Sequence, residues 1–228
     1  MSSYLQKINH TYGKYWLLGI DFVFALASLM RYRYTFGLDE ELLSISRDNG
    51  YAESFQYLKL AAIIGLLCFC AIIKKSAAIG GWAVVFGILL FDDKVSIHER
   101  GGAKLAEWLS FEPMFNLRAN DFGELMIFAT WGIIAIAVLG ITYRTNRSEL
   151  AKQIFRGLAL SLLGLVIFGG FFDMLHIVPR NLVSETLIED ELFDVLEDGG
   201  EMVVISLALY FVYQKAQQVL VKHQMDKY

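Results

Sequence analysis

The residues able to do chemistry crowd into four short stretches of this chain. FDDKVSIHER, residues 91–100, follows an uncharged run from Ala77 to Leu90 and brings Asp92, Asp93, Lys94, His98, Glu99 and Arg100 within nine positions. NDFGE at 120–124, FFDMLH at 171–176 and LEDGGE at 196–201 add Asp121, Glu124, Asp173, His176, Glu197, Asp198 and Glu201. On helices, Asp92, Ser96 and Glu99 fall at i, i+4, i+7 and form one stripe, and Asp173 with His176 and Asp121 with Glu124 are i,i+3 pairs. Glu197 with Glu201, and Asp194 with Asp198, are i,i+4 pairs.

Carboxylates from several helices joined by an acid-x-x-His pair are the ingredients of carboxylate-bridged metal sites. The expected metal ligands are Asp92, His98, Glu99, Asp173, His176 and Glu201, with Asp93 and Glu124 as catalytic acids or bases. Oxygen and imidazole donors without thiolate suit a divalent zinc, iron or manganese ion. His98 has Val95 at i−3, so a second acid-x-x-His is missing and one metal fits as well as two. A bound metal would lower the pKa of its water, and a spare carboxylate would act as base, giving hydrolytic or oxidative chemistry on a lipid-like or membrane-dissolved molecule.

Two other readings stand beside this one. A non-catalytic membrane subunit or scaffold would carry the same acids as a polar network, with the histidines bonded to carboxylates or headgroups. A proton or ion transporter expects polar residues to continue inward, whereas spans three, five and six read as nearly uninterrupted apolar runs. Asp21 and Lys59 lie close enough to span ends to read as interfacial.

The elements that must position these groups follow from composition. The chain is 56% hydrophobic and 19% charged, against about a quarter charged in soluble domains. Six segments approach the 20 or so apolar residues that cross a bilayer: 15–36, 55–74, 77–98, 122–143, 155–178 and 200–220. The expected fold is an all-α polytopic membrane bundle, one domain over 1–228 with no soluble part, with short interfacial amphipathic helices near 103–118 and 182–196 on the outer face. At about 1.5 Å per residue, Asp92 and Asp93 lie roughly 23 Å along span three, where an unpaired charge is costly.

Lys and Arg concentrate in the connections after spans two and four and at both ends of the chain, which places the termini in the cytoplasm of a bacterial inner membrane and the acidic clusters outside. Asp21 inside the first apolar run argues against a cleaved signal peptide, so the run reads as a span. Cys68 and Cys70 point to different helix faces and suit neither a disulfide nor a shared metal. Expected partners are the bilayer, a lipid-like substrate, and a protein partner or second copy. A net charge of −4 without a basic stripe excludes nucleic acid.

FDDKVSIHE ending one span and LEDGGEM opening the last resemble a pattern in small bacterial multi-span membrane proteins, which implies a shared outer-face site and no particular activity. In site chemistry alone the chain is similar to the alkaline ceramidases and progestin/adiponectin receptors, seven-span proteins with an intramembrane zinc. It departs from their pattern because Ser96 and His98 are too close together and the last span has no histidine before His223.

Overall fold

The computed structural model describes residues 2–31, 41–113, 117–145, 148–172 and 187–226. The described residues form helices α1 (Ser2–Met30), α2 (Tyr51–Lys74), α3 (Ala77–Val95), α4 (Ile97–Leu109), α5 (Ala119–Thr145), α6 (Glu149–Val166) and α7 (Leu187–Met225). A single 3₁₀ turn covers Glu41–Leu43, and α6 runs into a π-helical turn, Ile167–Phe172.

Helix ends are set locally. Lys75, in the left-handed conformation, closes α2 by donating its N–H to the carbonyls of Ala71 and Ile72. Ser148 caps α6 by accepting from the Ala151 N–H at 3.2 Å. Ser96 at φ 50° ends α3 and begins α4, so the chain turns a corner at that residue.

Among the described residues four helices are long and apolar enough to cross a bilayer: the 13–30 part of α1, Tyr51–Lys74, Ala119–Thr145 and 149–170. Such helices are the mark of a membrane protein, and two of the six expected spans, 77–98 and 200–220, are not among them. Helix α3 falls short because every 18-residue window of Ala77–Val95 contains Asp92, Asp93 and Lys94. In α7 the apolar run from Met202 to Tyr213 breaks at Gln214 and Lys215. The expected 182–196 interfacial helix is also corrected, because from Leu187 the acidic segment is continuous with the last apolar helix. Within the other expected interfacial segment, 103–118, α4 covers the part up to Leu109, and its Trp108 is 79% exposed.

The core lies where α2, α3, α6 and α7 meet. Ile63 and Leu67 of α2, Ile79, Trp82 and Phe86 of α3, Ile154 and Leu158 of α6, and Val212 of α7 are buried together. The Trp82 ring meets Phe155 edge-on at 5.5 Å. Lipid is as apolar as these side chains, so close packing rather than exclusion of water must hold the helices together. Small residues permit that closeness: the Phe211 ring lies over Gly157, and Gly102 of α4 meets Gly123 and Glu124 of α5.

Candidate functional site

The corner at Ser96 decides what His98 can touch. With α4 leaving at a new angle, the expected Asp92, Ser96, Glu99 stripe does not exist as one helical face. Instead His98 folds back, and its Nδ1 lies 2.8 Å from Asp92 Oδ2. The other carboxylate oxygen, Oδ1, accepts from Trp131 Nε1 at 2.9 Å, and the imidazole stacks on Phe128 at 4.8 Å. Asp92 is buried and has a donor on each oxygen. Glu99 stands 3.9 Å from His98 Nε2. Burial works against a charged imidazole here, but it is outweighed by the Asp92 hydrogen bond and by attraction to Asp92, Glu99 and Asp93, so the His98 pKa is raised.

Asp93 points elsewhere, since adjacent helical residues are about 100° apart. It lines a cavity of about 90 Å³ with Asp48, Glu53, Gln56, Asp198, Glu201 and Met202. Glu53 accepts hydrogen bonds from the Asn49 N–H and the Tyr57 hydroxyl. Glu201 accepts from Gln56 Nε2 at 3.2 Å and lies against Gly169 of the π-helical turn. Ser46 donates to Asp194 at 2.6 Å beside the cavity. Arg47 lines the cavity but its guanidinium pairs with Glu41 at 3.3 Å, and Lys94 turns to the Asn49 side-chain oxygen at 2.9 Å. The Asp198 carboxyl, ahead of the apolar run of α7, has its pKa pushed up by burial first and then by Glu201, Glu197, Asp194 and Asp93.

The expected site is thus split in two. Asp92, His98 and Glu99 meet on the α5 side of the corner, and Asp93 and Glu201 meet in the acidic cavity on the α2 and α7 side. Glu124 lies at the α4–α5 contact, where its backbone and Cγ pack against Gly102. Asp173 and His176 lie outside the described residues. Among the described residues no three His, Cys, Asp or Glu side chains are gathered as ligands for one metal ion.

Sequence reasoning missed Asp48 and Glu53 as cavity groups. A signal was present, because Glu53, Gln56 and Lys59 recur every three residues along one side of an otherwise apolar α2. It also misplaced Lys59 and Asp21, which are not interfacial. The Lys59 Nζ donates to Asp21 Oδ1 at 2.8 Å, the Met202 carbonyl at 2.9 Å and Ser206 Oγ at 3.1 Å, and lies 4.8 Å from the Phe55 ring centre. Ser206 in turn donates to Asp21 Oδ2 at 2.5 Å. This network joins α1, α2 and α7 inside the bundle.

The chain belongs to the family described as "Domain of unknown function (DUF8692)", which matches residues 15–214. No curated protein and no solved structure matches it. That membership brings no link to the ceramidase-like hydrolases.

Proposed function

We propose that this member of the DUF8692 family is a membrane protein whose acidic cavity takes up a hard divalent cation at one end of the helical bundle. The observation that carries the reading is the lining of that cavity: Asp48, Glu53, Asp93, Asp198 and Glu201 face about 90 Å³ of space. Acids lining so small a volume repel one another and call for a cation or protons in balance; no three of them converge as ligands as the cavity stands, so taking up an ion would draw them together. The raised pKa of Asp198 is the proton's share of that balance, so a cation entering the cavity would displace a proton.

The donors are oxygens, which favours manganese among the three metals expected from the sequence, and magnesium and calcium by the same preference. The zinc or iron reading leaned on histidine. His98 spends Nδ1 on Asp92 and faces away from the cavity, which weighs against its being a ligand there. With an ion bound, its water would be acidified and Asp93 or Glu53 would serve as base, a hydrolytic or oxidative site for a membrane-dissolved or lipid-like molecule arriving at the ends of the spans. The concentration of Lys and Arg near the opposite end of the bundle supports an outward-facing cavity and cytoplasmic termini in a bacterial inner membrane.

Elemental analysis of detergent-purified protein, before and after dialysis against a chelator, tests the reading. Near-stoichiometric manganese, calcium or magnesium that returns on back-titration is the expected result. Protein that neither carries a divalent ion nor takes one up at millimolar concentration contradicts it.

A further inference from the structure

Lys59 and Asp21 sit at the middle of a polar line that runs through the bundle. Asp21 is eight residues from Gly13 and nine from Met30, the ends of the apolar window of α1, or roughly 12 to 14 Å from either end at 1.5 Å per residue. Ionisable residues at such depth are costly and mark ion or proton pathways by default. A pair satisfied by three acceptors is also expensive to keep when apolar side chains of similar size would pack as well.

Polar groups continue on both sides of the pair. Toward the acidic end, Met202 links the two: it lines the cavity, and its carbonyl accepts from Lys59. Its chain neighbour Glu201 and Gln56, one turn before Lys59, are hydrogen-bonded to each other at 3.2 Å within the cavity wall. A cavity of about 90 Å³ holds roughly three waters at 30 Å³ each. Toward the other end, Ser206, Tyr210, Tyr213 and Gln217 recur at i, i+4, i+7, i+11 on α7 and so share a face. Tyr213 accepts from Gln217 Nε2 at 2.6 Å, while the buried Gln217 Oε1 accepts no hydrogen bond among the described residues. Tyr210 and Tyr213 border an apolar groove of about 520 Å³ whose other walls include Leu17, Ala62 and Leu66, each one or two turns from the ion pair. The sequence-level objection to transport, that the last span is apolar below the acids, is met by this stripe.

We propose that the Lys59, Asp21 and Ser206 network is the central relay of a proton pathway that crosses the bundle from the acidic cavity along α7. In the forward step a Lys59 N–H bond breaks as an O–H bond forms on Asp21 Oδ1, leaving a neutral amine and a neutral carboxyl. The Ser206 hydroxyl, which donates to Asp21 Oδ2 at rest, turns to take the carboxyl proton as its own O–H bond breaks toward Tyr210, whose hydroxyl proton leaves in turn past Tyr213 to the aqueous phase. The amine regains a proton from the aqueous phase at the acidic end by way of water. One proton enters and one leaves, driven by the transmembrane gradient. The groups facing Lys59 are Asp21 from α1, Ser206 and the Met202 carbonyl from α7, and Phe55 on its own helix. The groove walls beyond it are apolar, so the route is a chain of discrete groups and not a water column, and flux should be that of a relay rather than an open channel.

Reconstituted liposomes with an internal pH-sensitive dye and a potassium diffusion potential set by valinomycin test this. Full-length protein should give proton flux well above protein-free vesicles, Asp21→Asn should lower it at least tenfold, and Ser206→Ala and Tyr210→Phe should each lower it severalfold. Single variants that fail to fold are covered by the paired Asp21→Leu, Lys59→Met variant, which should reconstitute normally with a melting temperature near that of the parent and show no flux. No protein-dependent flux at either polarity, or parental flux in the paired variant, overturns the proposal. Cation binding in the cavity does not depend on either result.

Discussion

Lys59 Nζ lies 2.8 Å from Asp21 Oδ1, with each side chain 2% exposed, so an ion pair joins the first and second helices inside the bundle. Removing one partner of such a pair leaves a bare buried charge, which costs about 3–5 kcal/mol. Lys59→Met or Asp21→Leu alone should therefore lower the thermal midpoint in detergent markedly. The two together should recover most of the loss, because apolar side chains pack well in the vacated space. A double variant as unstable as the sum of the singles would show that the pair is not an interacting unit.

The contact between α4 and α5 depends on the absence of side chains. A Cβ on Gly102 would lie 2.6 Å from the Glu124 nitrogen, and one on Gly123 would meet the Gly102 carbonyl. Gly102→Ala should cost about 1–3 kcal/mol by overpacking, seen in chemical or thermal denaturation. Gly132→Ala on α5, where an added Cβ meets nothing within 4 Å, should be neutral or stabilising. Equal effects of the two would refute the close approach.

His98 gives the protein a pH dependence with a definite sign. Its folded-state pKa is raised above the ordinary value, so the stabilisation from its pair with Asp92 is complete below about pH 6.5 and is lost as pH rises through the folded pKa. Thermal melts between pH 5.5 and 9 should show this decline in the parent and a flatter profile in His98→Gln. A profile of the same steepness in that variant would remove His98 as its cause.

Much of the architecture is legible in the sequence because apolar run length is a direct consequence of bilayer thickness. Helices α2 and α5 begin and end within about four residues of the expected spans for that reason. The corner at Ser96 was not legible, since no glycine or proline marks it and a left-handed serine carries no reliable signal. That one residue sends Asp92 and Asp93 to different partners and splits the expected metal site. The Lys59 and Asp21 pairing escaped notice for another reason: pairing across helices depends on how three of them pack, and spacing along one chain does not report it.

Helix α7 has 39 residues, about 58 Å at 1.5 Å per residue, longer than the full thickness of a bilayer with its headgroups. Its two ends should therefore be reachable from opposite aqueous sides. Single cysteines at Leu192 and His223, introduced with Cys68 and Cys70 replaced by alanine, should be labelled by an impermeant thiol reagent from opposite faces of sealed vesicles. Labelling of both from one face would contradict a membrane-crossing α7.

The most direct test of the acidic cavity is manganese binding followed by electron paramagnetic resonance on the purified protein and two variants. Asp198→Asn with Glu201→Gln should weaken binding at least tenfold, while His98→Ala, which alters the Asp92 pair outside the cavity, should leave it within about twofold of the parent. Binding that survives the cavity substitutions, or that is abolished by His98→Ala alone, would contradict the assignment of the cation to the cavity.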